Sequence, residues 1–147
     1  MVTIKVKKLT ATAILPEMMS EDAAGADISY NGALGEEVIF LPGSKVLVTT
    51  GLSIEVPKGF EAQVRPRSGL SIKKEVIVLN SPGTIDADYR GEVMVGLKNI
   101  SDNIVTIRAG DRVAQLVIKR VEPTTYIEVP ELSDTKRGTG GLGSTGL

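Results

Sequence analysis

From Val2 to Val121 the chain passes through a succession of short runs rich in Val, Ile and Thr, most of them closed by Gly, Pro or Asn. β-branched residues pack well on a pleated surface, and no stretch repeats apolar residues at the spacing of an amphipathic helix. Val2, Ile4 and Val6 alternate with Thr3, Lys5 and Lys7, the period of a half-buried strand. Further strands are expected at 26–30, 37–41, 45–50, 52–56, 60–65, 76–79, 92–99, 104–108 and 113–121, with Gly51 breaking one run from the next. Residues 9–22 show no period and contain Pro16, so they read as a loop. Ser68 to Lys74 is the one place for a helical turn or two. The pattern is that of an all-β sandwich or barrel.

At 147 residues the chain suits a single domain with a real core, and no repeat or linker divides it. Its net charge of -1 argues against a broad basic face for duplex nucleic acid. With no Cys and no His, thiol nucleophiles, zinc-thiolate sites, Ser-His triads and His general bases are all excluded. Any proton transfer falls to Asp, Glu, Lys or Tyr. No apolar run reaches membrane-spanning length and Met1 to Lys8 lacks a signal-peptide core, so a cytoplasmic protein is expected.

Polar chemistry gathers in five places. Gly83-Thr84-Ile85-Asp86-Ala87-Asp88-Tyr89-Arg90-Gly91 follows the turn Asn80-Ser81-Pro82-Gly83 and lies between the apolar runs 76–79 and 93–97, so it reads as the mouth of a β-hairpin. In Arg65-Pro66-Arg67-Ser68-Gly69-Leu70, Ser68 is placed to cap a short helix starting at Gly69, beside Arg67, which together suit an anion. Ala24-Gly25-Ala26-Asp27-Ile28 puts an Asp on a short strand, where solvation is the usual fate of such a side chain. Gly110-Asp111-Arg112-Val113-Ala114-Gln115-Leu116 is a turn entering a strand, with an Asp111–Arg112 pair expected to steady it. Thr135 to Leu147 carries five Gly behind Arg137, a composition that is disordered alone but can wrap an anion with backbone N–H groups and hydroxyls.

Taken together and in this order, AGADI (24–28), RPRSGL (65–70), NSPGTIDADYRGE (80–92), GDRVAQL (110–116) and RGTGGLGSTG (137–146) resemble the five motifs of the homotrimeric dUTP pyrophosphatases, from about residue 20 onward. The resemblance implies a distorted jelly-roll, residues 1–130, and a Gly-rich C-terminal arm, residues 131–147, exchanged within a homotrimer. It implies hydrolysis of dUTP to dUMP and pyrophosphate with Mg²⁺, Asp86 being the base that activates water; Asp88 is its rival. Tyr89 would pack on the deoxyribose and leave no room for a 2′-hydroxyl. Asn80, Gly83, Thr84 and Ile85 would read uracil, with Met94 lining the substrate. Arg67, Ser68, Gly69 and Gln115 would hold phosphates, Asp27 the hydrated Mg²⁺ through water, and Arg137, Gly143, Ser144 and Thr145 would close over the substrate.

Leu142 stands where the family usually has an aromatic ring stacked on uracil, which implies a looser lid. Two other readings are a dCTP deaminase relative and a nucleotide-responsive binding module. The Gly-rich motif and the Asp-x-Asp-Tyr hairpin weigh against the first, and Asp86 weighs against a role in binding alone.

Overall fold

The computed structural model describes residues 1–142. Eleven strands and one short helix follow in order: β1 Lys5–Lys8, β2 Glu17–Met18, β3 Ala26–Ser29, β4 Glu37–Phe40, β5 Lys45–Glu55, β6 Phe60–Arg65, α1 Ser68–Lys74, β7 Val76–Val78, β8 Gly83–Ile85, β9 Glu92–Asn99, β10 Val105–Arg108 and β11 Arg112–Arg120. They form a four-stranded sheet in the order β1-β5-β9-β7, a five-stranded sheet β2-β3-β11-β6-β8, and the pair β10-β4. Each pairing is antiparallel, and the all-β expectation holds.

Alternate residues of the sheets meet in one core. Ile28, Phe40, Val48, Ile54, Leu97 and Ile107 are fully buried there, each side chain contributing about 1.5–3 kcal/mol by leaving water. Buried polar groups are paired: Asn99 donates to the carbonyls of Phe40 and Asn103 and accepts from Ser101, fastening the end of β9 to β4. Tyr30, just after β3, buries its ring and donates to Glu36 Oε1 at 2.7 Å. Burial first, then this carboxylate, pushes the phenol up to about 12.

Four local expectations are corrected. The first strand starts at Lys5, leaving Val2 exposed, because only from Lys5 onward does the chain pair with β5. The loop at 9–22 contains the two-residue strand β2, recruited by β3 and too short to show a period. Gly51 does not end a strand: β5 runs through it as a bulge, since glycine accepts the φ of +66° found there. Ser68 is not the helix cap; Arg67 takes the extended cap conformation without a side-chain bond, and Ser68 is the first helical residue.

Candidate active site

The five-stranded sheet turns one row of side chains away from the core. Asp27 on β3, Gln115 on β11 and Arg65 on β6 stand opposite one another, while their neighbours Ile28, Ala114 and Val64 point inward. Asp27 is buried by what gathers on it. Its Oδ2 accepts from Arg67 Nε at 2.9 Å and pairs with Arg112 Nη1 at 3.1 Å, and its Oδ1 accepts from Gln115 Nε2 at 3.1 Å. Arg67 also donates to the carbonyl of Arg112. Two guanidinium groups share one carboxylate, so the cluster has a surplus positive charge and suits an anion. Beside it, Arg67, Lys73, Lys74 and Arg112 line a pocket of about 260 Å³.

The expected Asp111–Arg112 pair does not form. Asp111 steadies the turn by accepting from the backbone N–H of Arg108, and the Arg112 side chain goes to Asp27 instead. Arg112 is thus a member of the cluster that the sequence reading missed, and no local signal marks it, because its approach to Asp27 comes from the pairing of β11 with β3.

The second group sits at the hairpin mouth. β7 and β9 pair as the apolar runs predicted, Val78 opposite Leu97. Between them, Gly83–Ile85 is not a turn but the strand β8, which crosses to the other sheet and pairs with β6. As the outermost strand of that sheet, β8 leaves one edge of backbone groups unpaired, which can hydrogen-bond a planar ligand as another strand would. Thr84, Ile85, Asp86, Tyr89 and Met94 line a cleft of about 240 Å³ together with Glu92, the last residue of the hairpin motif, and Leu47, which no sequence motif had marked. Asp86 also borders a larger groove with Glu61 and Arg120; Asp88 lines neither. Asn80 is exposed and lies against Gly83, where its amide would be 3.2 Å from an added Cβ.

These two groups do not meet within one chain. Gln115 is level with Arg65, whereas Ile85 is level with Ala62, so Asp86 follows near the level of Glu61. Two strand spacings across and four residues along place the Asp86 and Gln115 backbones about 16 Å apart. Side chains stand perpendicular to a sheet and do not close such a gap. Ser68 and Gly69 are exposed at the start of α1, near the Asp27 cluster. Arg137 is exposed and donates to the Gly140 carbonyl within a turn, and Leu142 is fully exposed. Gly143, Ser144 and Thr145 lie outside the described residues.

Among the described residues, no three His, Cys, Asp or Glu side chains are grouped to hold a metal. Asp27 already accepts from three donors, which leaves about one further direction on its carboxylate. That leaves room for a hydrated cation such as Mg²⁺ to contact the carboxylate through water rather than directly. Among the described residues, no helix is long and apolar enough to cross a membrane.

Comparison with known proteins points one way. The sequence pattern of the dUTPase family matches residues 11–146. The chain is 51% identical over 142 residues to the deoxyuridine 5'-triphosphate nucleotidohydrolase of Hydrogenobaculum sp. (strain Y04AAS1), covering 97% of this chain and 96% of that protein. Its structure resembles a mutant dUTPase of Staphylococcus bacteriophage 80alpha with dUpNHpp, with a TM-score of 0.87, 29% identity and 99% of each chain covered. It also resembles a mutant dUTPase from phage phi11 of S. aureus, studied for its coordination of a structural Mg(II) ion (TM-score 0.79, 26% identity, 90% of this chain and 99% of that one).

Proposed function

This chain belongs to the dUTPase family and hydrolyses dUTP, and we propose that it does so with Asp86 as the base that directs water at the α-phosphorus. The observation that carries the assignment is the place of Asp86 in the wall of the hairpin cleft, beside the open edge of β8 and the Tyr89 ring. In a chain without His, a carboxylate is the natural acceptor for the water's proton. Asp88, outside the cleft, is the weaker candidate.

Uracil would pair along β8, with Thr84 and Ile85 presenting backbone groups and Gly83 and Asn80 at its rim. Cytosine reverses a donor and an acceptor on that edge, leaving buried groups unpaired. Tyr89 packs under the sugar and Met94 lines the cleft. The phosphates go to the Asp27 cluster, where Arg67, Ser68, Gly69 and Gln115 bind them and Asp27 would hold the hydrated Mg²⁺ through water. When bound, that ion neutralises phosphate charge and orients the chain of phosphates.

The separation of about 16 Å between the Asp86 and Gln115 backbones has a direct consequence. An α-phosphate held by Gln115 is reached by the Asp86 of a neighbouring protomer, not by the one in the same chain. We therefore infer a homotrimer in which each site takes its phosphate cluster, hairpin and arm from different protomers. Residues 121–132 support this reading: they are exposed, carry no strand, and present Tyr126, Ile127, Val129 and Leu132 to solvent. The β domain, 1–130, would then be completed by arms 131–147, with Arg137, Leu142, Gly143, Ser144 and Thr145 closing over a bound nucleotide. A cytoplasmic location belongs to the same proposal.

The test is incubation of the purified protein with dUTP, dCTP, dTTP and UTP in Mg²⁺, with pyrophosphate and ammonia both measured. Pyrophosphate from dUTP alone is expected. Ammonia from dCTP would assign a deaminase, and binding without turnover would assign a nucleotide-responsive module.

A further inference from the structure

The hairpin mouth is tied to the four-stranded sheet in an unusual way. Thr49 faces Met94 and Ser53 faces Glu92, so Thr50, Gly51 and Leu52 together stand opposite Val93 alone. Gly51, at the crest, has φ +66°, and a Cβ there would lie 2.7 Å from the Asn31 amide and 2.9 Å from Ala13 Cβ. Side chains replace the lost ladder at three points. Thr50 Oγ1 donates to the Val93 carbonyl at 2.6 Å, and Ser53 Oγ donates to the Arg90 carbonyl at 2.7 Å. Glu92 Oε1 accepts the Gly51 N–H at 2.7 Å.

These bonds lead into the cleft. The Tyr89 hydroxyl donates to the Glu92 carbonyl at 2.9 Å, which folds its ring back over Gly91, where a Cβ would collide with the phenol. The Tyr89 N–H donates to the Asp86 carbonyl at 3.2 Å, and Arg90 donates to the carbonyls of Ala87 and Tyr89. Of this set, Tyr89 lines the cleft together with Asp86, Glu92 and Val93. Bulges beside active sites commonly re-aim a side chain.

We propose that the β5 bulge, acting through Glu92 and Ser53, positions the Tyr89 ring and so sets how strictly a 2′-hydroxyl is refused. This rests on the reading of Tyr89 as the residue beneath the sugar. Glu92 borders the cleft and Ser53 lies outside it, but in this proposal both act through the Tyr89 ring, as positioning residues. The Glu92 carboxylate fixes where the strand begins, its carbonyl receives the phenol, and Ser53 holds the adjoining Arg90 peptide. Loss of either bond lets the ring tilt and opens space at the 2′ position.

The experiment uses the full-length protein and compares the inhibition constant of UTP with the KM for dUTP, alongside the melting temperature. Glu92→Leu and Ser53→Ala are each expected to lower that ratio about 2- to 13-fold, the range one lost hydrogen bond supplies. Glu92→Gln keeps a carbonyl oxygen to accept the Gly51 N–H, and is expected to stay within about 2-fold of the parent. Lower melting temperatures with an unchanged ratio in both Glu92→Leu and Ser53→Ala would overturn the proposal, leaving the bulge a purely structural feature. Tyr89→Ala separates the two readings: if it leaves the ratio unchanged, the sugar-contact reading fails. If it collapses the ratio while the Glu92 and Ser53 variants do not, only the role of the bulge fails.

Discussion

The buried carboxylate of Asp27 accepts a hydrogen bond from Arg67 Nε at 2.9 Å. Replacing Asp27 with Asn removes the charge that both Arg67 and Arg112 share. Those guanidinium groups are 24% and 42% exposed, so water partly screens the loss, and the cost falls below that of a fully buried pair. A stability loss of about 2 kcal/mol is expected in urea titrations. The Mg²⁺ concentration giving half-maximal activity is expected to rise as well.

Asp86→Asn keeps the shape of the cleft but cannot take a proton from water. Turnover is expected to fall about 10²- to 10⁴-fold, the usual share of a general base. Affinity for dUTP, measured by equilibrium binding with Mg²⁺, is expected to change little. Asp88→Asn is expected to retain most activity, and the reverse result would exchange the two assignments.

Separation of Asp86 from Gln115 predicts complementation. Chains carrying Asp86→Asn are mixed, after unfolding and refolding together, with chains ending at Asp134. Each is expected to be nearly inactive alone, while mixed oligomers recover dUTP hydrolysis, because one parent supplies the hairpin and the other the arm. Recovery absent from mixtures whose mass confirms hetero-oligomers would place the hairpin and the arm of each site in the same protomer.

Leu142, fully exposed, has no ring to stack on a base. An aromatic contact adds about 0.5–1.5 kcal/mol beyond burial, which converts to a roughly 2- to 13-fold change in affinity. Leu142→Phe is expected to lower the KM for dUTP within that range or to slow product release, as steady-state and single-turnover kinetics would report.

Tyr30 and Glu36 supply a pH test. The Tyr30 phenol, at 10.0 when free, rises to about 12 in the fold. A raised folded value means that its stabilisation is complete below pH 10 and is lost as pH rises through about 12. The stability gap between the parent and Tyr30→Phe, read as urea midpoints, is expected to be constant from pH 7 to 9 and to shrink by pH 12.

Much of the architecture is written locally. Alternation at Phe60–Arg65 and Glu92–Asn99, with Pro and Gly between runs, specifies strands because each side chain's face follows from its parity alone. The short helix at Ser68–Lys74 falls on the segment marked for a helical turn. What failed were features that depend on a partner. Gly51 looked like a strand end and proved to be a bulge, because its conformation is set by Ala13, Asn31 and Glu92, all remote in sequence. Arg112 was assigned to its neighbour Asp111, yet it pairs with Asp27, 85 positions away, because β11 lies against β3.

The sequence by itself determined the strand pattern, the chemistry available in a chain lacking His and Cys, and the five motifs that mark its family. Only the tertiary structure decided that Asp27 is buried under two arginines, that β8 has an open edge, and that Asp86 and Gln115 stand apart. A residue type carries its chemistry wherever it goes, but distance between remote residues arises from sheet order and register, which no single segment encodes.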